Sequence, residues 1–245
     1  MEPSVSFDSL PLQKDGPHGN AWGLFGPLDQ LGMLNRLTPE TTREAAKEII
    51  DGVRVSTDWS LNMWVENGGI VGRGVLLDYA SWAEARGKSI NCFATTSIPV
   101  STLKDIAAYQ GTSFKRGDIL FIRTGWTRAY EKLSAEQCQE LADHKIPPAI
   151  GVESSEDTLR WIWDEGFAAV AGDMPSFEAW PCQNTDFWLH EWLLAGWGLP
   201  IGELFDLDRL SQECRKRNQW SFFFSSVPLK VPGGVASPPN GVAIL

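Results

Sequence analysis

The chain has 245 residues, 43% hydrophobic and 21% charged, which is enough apolar material for a packed core. Its 21 basic and 31 acidic residues leave a net charge of −10; such a surface repels phosphate backbones and excludes nucleic acid as an expected partner. The apolar runs fall well short of the ~20 residues a spanning helix needs, and Met1 to Leu12 carries acidic residues without an apolar signal core, so a soluble, cytoplasmic protein with no membrane partner is expected.

Residues 1–37 are rich in Gly and Pro and read as an irregular arm leading into one domain that runs to residue 245. Thr38-Pro39-Glu40 supplies an N-cap, a first-turn proline and a first-turn acid for a helix running to about Asp51, where Gly52 stops it. Val53 to Trp59 reads as a short strand, and Ile70 to Tyr79 as a buried strand whose glycines allow close approach. Ser101 caps a helix ending at Gly111, and Gly117-Asp118 turns into the strand Ile119 to Arg123. Ser134 and Gln137 form a capping box. A helix follows from Ser155 to Glu165, then a strand from Phe167 to Ala171. Residues 185–197 read as a helix, with Trp188, Trp192 and Ala195 on one face. A short strand at Ile201 to Phe205, a charged helix from Leu207 to Lys216, a long strand from Gln219 to Val231 and a last one from Val242 to Leu245 complete the order. Strands and helices mix without a strict βαβ repeat, which points to one α/β domain around a mixed sheet or barrel.

Several chemistries fail on spacing. Gly87-Lys88-Ser89 ends like a phosphate-binding loop, but Trp82 stands where the first glycine is needed. No GxSxG elbow is present. Cys92, Cys138, Cys182 and Cys214 form no CxxC pair and read as ordinary thiols. The 12 tryptophans suggest a bulky core or an aromatic pocket. Of the three histidines, His18 and His144 fall in surface segments, whereas His190 sits among tryptophans, as a satisfied core histidine or a functional one. Glu203 is a carboxylate in an apolar segment, costly unless paired or metal-bound. Asp78 and Asp173 close two strands, a position shared by turn residues and cleft-facing acids.

Four ordered blocks carry a resemblance. They are Gly117-Asp118 with Arg123-Thr124-Gly125-Trp126; Ala171-Gly172-Asp173-Met174-Pro175-Ser176; Leu189-His190 through Leu194 with Gly202-Glu203-Leu204; and Val227 to Gly234 with the ending at Leu245. Together they resemble the cyclase and kynurenine-formamidase-like hydrolase family, and Trp22 to Glu40 is similar to the opening of its fungal-type branch. The resemblance implies a swivelling β/β/α barrel-like domain, homo-oligomers, and a divalent metal (Zn or Mn) activating water to hydrolyse a small amide, lactam or ester, as in N-formylkynurenine deformylation. It implies His190 as catalytic residue and metal ligand, Glu203 as metal ligand and Asp173 near the substrate pocket; for a hydrolase, Trp188, Trp192 and Trp197 are expected to line that pocket.

The family keeps its early His and Asp ligands in a block that this sequence lacks: Val55 to Asn62 runs straight into Met63 to Gly69, so the barrel is expected to be incomplete. Asp58, Glu66 and Asn67 are the nearby candidates left. Two readings follow: a metal-dependent hydrolase of the arylformamidase kind, or an inactive shortened member that binds ligand or oligomerises.

Overall fold

The computed structural model describes residues 5–51, 54–57, 69–227 and 236–245, the second of these segments as backbone only. In chain order the strands are β1 (Arg54–Thr57), β2 (Ile70–Asp78), β3 (Ser97–Ile98), β4 (Ile119–Arg123), β5 (Gly151–Val152), β6 (Ala169–Gly172), β7 (Ile201–Gly202), β8 (Ser221–Ser226) and β9 (Gly241–Ile244). The α-helices are α1 (Pro39–Ala45), α2 (Tyr79–Glu84), α3 (Val100–Gln110), α4 (Trp126–Tyr130), α5 (Ala135–Asp143), α6 (Glu156–Glu165) and α7 (Asp208–Arg217).

Seven strands form one mixed sheet in the order β1-β9-β8-β2-β4-β6-β7, and β3 pairs with β5 separately. β2, β4, β6 and β7 run parallel, while β8 and β9 add antiparallel partners on the other side of β2. This is the α/β arrangement around a mixed sheet that the sequence implies. The central parallel strands β4 and β6 are buried on both faces, which is why they read as near-continuous apolar runs. Successive side chains part to opposite faces. Leu77, Leu120, Ile122 and Val170 pack with Leu103, Ile106, Leu159 and Ile162 of α3 and α6. Leu76, Ile119, Phe121, Ala169 and Ala171 pack with Phe222, Phe224 and Leu210 on the other face. Gly74 is needed at the β2–β8 crossing, because a Cβ there would stand 2.2 Å from the Phe222 ring it pairs with.

The capping signals act as read at Thr38 and at Ser134 with Gln137, each accepting the backbone N–H that caps its helix. Ser155, where a helix is expected to begin, caps it in the same way, whereas the helix expected to be capped by Ser101 starts at Val100, after Pro99. Gly111 and Gly166 end α3 and α6 in the left-handed conformation. Elsewhere the boundaries move. The first helix ends at Ala45 and tightens into a 3-10 turn over Ala46–Glu48, so it stops short of Asp51. α2 and α4 are short helices that follow strands directly and have too few turns to show a period. β7 is two residues long, because Leu204 takes a positive φ of 57° and turns the chain away. The strand expected from Gln219 is β8, and its extension beyond residue 227 lies outside the described residues, as do Asp58, Glu66, Asn67 and the Asn62–Met63 junction.

Residues 185–197 are not one helix. A 3-10 turn over Thr185–Phe187, capped by Asn184, is followed by a π-helical turn over Glu191–Gly196. The Trp197 N–H reaches back to the Trp192 carbonyl, five residues away. This wider turn puts Trp192 and Trp197 on one side with ring centroids 6.3 Å apart, where a 3.6-residue period would have separated them. The N-terminal segment closes over them: Phe7 stacks on Trp192, the Trp197 indole donates to Gly19 O, and the Trp22 indole to Ala195 O. Among the described residues, no helix is long and apolar enough to cross a membrane.

Candidate active site

Three segments meet beyond the carboxyl ends of β6 and β7, where open α/β sheets commonly bind ligands. Glu203 directly follows β7. Residues 173–180 leave β6 and run along β5, with Phe177 O and Val152 O each taking part in a backbone bond between the two segments. Gly151 permits this approach, since a Cβ there would lie 2.3 Å from the Glu178 carbonyl carbon. The segment thereby delivers Glu178. The third contributor is His190, immediately before the π-helical turn, a distortion frequent at functional sites.

The Nδ1 of His190 lies 2.7 and 2.8 Å from the two carboxylate oxygens of Glu178, and its Nε2 lies 3.3 Å from Glu203 Oε1. That same Glu203 oxygen accepts the Phe177 N–H at 2.8 Å. The Glu178 side chain has no exposed surface, whereas those of His190 and Glu203 are about a third open, at 31% and 28%. The arrangement is a carboxylate–imidazole–carboxylate chain, buried at one end and open at the other. Burial works to lower the imidazole pKa, but the hydrogen bonds and charges of Glu178 and Glu203 outweigh it and push His190 up to about 10.

The divalent metal of the resembled family finds a partial donor set here. Structural and catalytic zinc sites use three or four protein ligands, and His190 Nδ1 is committed to Glu178. That leaves one imidazole nitrogen and the Glu203 carboxylate. Among the described residues, no group of three His, Cys, Asp or Glu side chains is arranged to hold a metal ion. These residues alone do not fit a resident metal.

Two cavities open against this chain. One, of about 790 Å³, is walled by Trp126, Tyr130, Trp180 and Trp188. The other, of about 610 Å³, lies on the sheet face formed by Ile119, Phe121, Ala171 and Phe224. His190, Glu203 and Leu204 line both. In the aromatic cavity, the Ser176 hydroxyl and the indole N–H groups of Trp126 and Trp188 are buried without a protein hydrogen-bond partner, a state that calls for a physical explanation.

Of the residues singled out from sequence, the structure brings His190, Glu203 and Trp188 together at the aromatic cavity. Trp192 packs away from it, against Phe7, Phe187 and Trp197, with its indole bonded to Asp186 O. Asp173 stands behind the wall, wholly buried. It accepts from Thr124 N and Oγ1 and from Gly125 N, each at 2.7 Å, while burial raises its pKa to about 6. Asp78 caps α2 and pairs with Arg123 at 2.8 Å. His18 and His144 are exposed. Glu178 escaped the sequence reading, although its setting between Phe177 and Ala179-Trp180 held the signal: an acid in an apolar stretch must be paired.

The Cyclase family model matches residues 40–179, a span that contains Glu178 and stops short of His190 and Glu203. A crystal structure described as a novel cyclase superposes with a TM-score of 0.76, covering 92% of this chain and 99% of that one at 24% identity. Isatin hydrolase A from Labrenzia aggregata, bound to benzyl benzoate, gives a TM-score of 0.52 at 16% identity, covering 73% of this chain and 66% of that one. An isatin hydrolase bound to the product analogue thioisatinate gives 0.51 at 15%, covering 72% and 60%. At these identities the likeness is one of fold. No curated protein matches the chain.

Proposed function

This chain belongs to the Cyclase family, and from that premise we propose that it is a hydrolase of small aromatic amides, lactams or esters, of the arylformamidase kind. The observation that carries the proposal is the Glu178–His190–Glu203 chain, whose open end faces an aromatic cavity. The solved neighbours support the substrate class, since isatin hydrolases are bound to aromatic carbonyl compounds.

The chemistry needs one water and two proton transfers. Glu203 takes a proton as the water oxygen bonds to the carbonyl carbon. His190 gives its Nε2 proton to the departing nitrogen as the C–N bond breaks. Glu203 then returns its proton to Nε2 across the 3.3 Å contact, leaving a carboxylic acid and an amine with the site reset. Glu178 holds the ring throughout and is a positioning residue. The Ser176 hydroxyl and the Trp126 and Trp188 indoles, buried without protein partners in residues that wall the cavity, would serve as the donors to the carbonyl oxygen.

A second reading has its own observation. The donor set, incomplete among the described residues, favours a family member that binds such ligands without turning them over. Release of aniline from formanilide and of formate from N-formylkynurenine, measured beside ligand binding, separates the two. Turnover supports the hydrolase, and binding without turnover supports the second reading.

A further inference from the structure

The two cavities share one wall, and that wall is the chemistry-bearing group. Each cavity has a volume within the range of about 300–1,000 Å³ usual for an entire small-molecule site. Leu204, lining both, is 47% exposed and holds a positive φ of 57°, a conformation that costs a branched residue energy and persists only when its surroundings impose it. Here Leu204 N bonds to Met174 O and Phe205 N to Gly172 O, fixing the side chain at the junction. The apolar sheet face and the aromatic cavity thus abut at His190, Glu203 and Leu204.

We infer that the site takes a two-armed ligand: an amide or ester with one aromatic arm among Trp126, Trp180 and Trp188, the other apolar arm on the sheet face, and the bond between them beside His190 and Glu203. Leu204 is the specificity-determining residue at the divide. This rests on the hydrolase reading for the nature of the central bond, but the two-armed fit is a binding property and is tested without turnover.

The test is calorimetric titration of the full chain with benzanilide and with its two one-armed halves, formanilide and N-methylbenzamide. Benzanilide is expected to bind at least about tenfold more tightly than the better half, because the second arm binds at the high effective concentration the first provides. Two rim variants check the placement: Ala142→Trp in the aromatic cavity and Leu194→Trp on the sheet side, both at exposed positions. Each should remove that gain with an unchanged melting profile. Benzanilide binding within about threefold of the better half, or a gain that survives both variants, overturns the inference. Aniline release from formanilide is read separately. A gain without release leaves the two-armed site standing and counts formanilide out as a substrate; release without a gain overturns the two-armed site and leaves the hydrolase standing.

Discussion

Glu178, with no exposed side-chain surface, grips the Nδ1 of His190 at 2.7 Å and so fixes the direction in which Nε2 points. A buried carboxylate is tolerated only when paired, and among the described residues this one has a single side-chain partner, which is itself part of the candidate site. Glu178→Gln keeps the shape but weakens the grip and changes the preferred ring protonation. The account expects kcat to fall at least about tenfold while KM changes little. An equal loss in a variant whose melting temperature has collapsed would point to a merely structural role, so the two are measured together.

The pH dependence of stability follows from the same geometry. His190 has a folded pKa of about 10 against 6.5 for the free group, so the native state binds this proton more tightly than the unfolded chain. Its stabilising contribution is complete below pH 6.5 and is lost as pH rises through about 10. The melting-temperature difference between wild type and His190→Gln should therefore shrink steadily across that interval. A difference constant with pH would contradict the ion-pair geometry.

Asp173 has a structural consequence of its own. Its three accepted hydrogen bonds tie the end of β6 to the turn after β4. Asp173→Ala strands buried donors on Thr124 and Gly125, at a cost of about 1–3 kcal/mol for each group left unsatisfied. Denaturant titration should show a lower midpoint with an unchanged slope. Full stability would mean that these donors find other partners.

Added Zn²⁺ or Mn²⁺ is expected to bind the wild type no more tightly than His190→Gln, as read by competition with a chromophoric chelator, because one imidazole nitrogen and one carboxylate fall short of the three or four ligands such a site uses. Tight binding that is lost in the variant would contradict this.

The sequence disclosed the parts of this site that sit in compact motifs. His190 and Glu203 stood out because an imidazole among tryptophans and an acid in an apolar strand both need partners. Their partner Glu178 was hidden, since only the folded course of residues 173–180 against β5 shows that it is buried. The caps at Thr38 and Ser134 were legible because a capping residue acts on its nearest neighbours. The break at residues 185–197 was not, because a π turn depends on the N-terminal segment packing over Trp192 and Trp197. Asp173 read first as a turn residue, with a cleft as the alternative, and the donors of Thr124 and Gly125, far off in sequence, decided its environment.

The most direct test is the turnover of N-formylkynurenine, formanilide and isatin by the purified chain and by His190→Ala, with folding verified by circular dichroism. The account predicts hydrolysis of at least one of them by the wild type, reduced at least about a hundredfold in the variant. Equal rates for the two proteins would remove His190 from the reaction, and no hydrolysis by the wild type, with or without added metal, would contradict the hydrolase assignment.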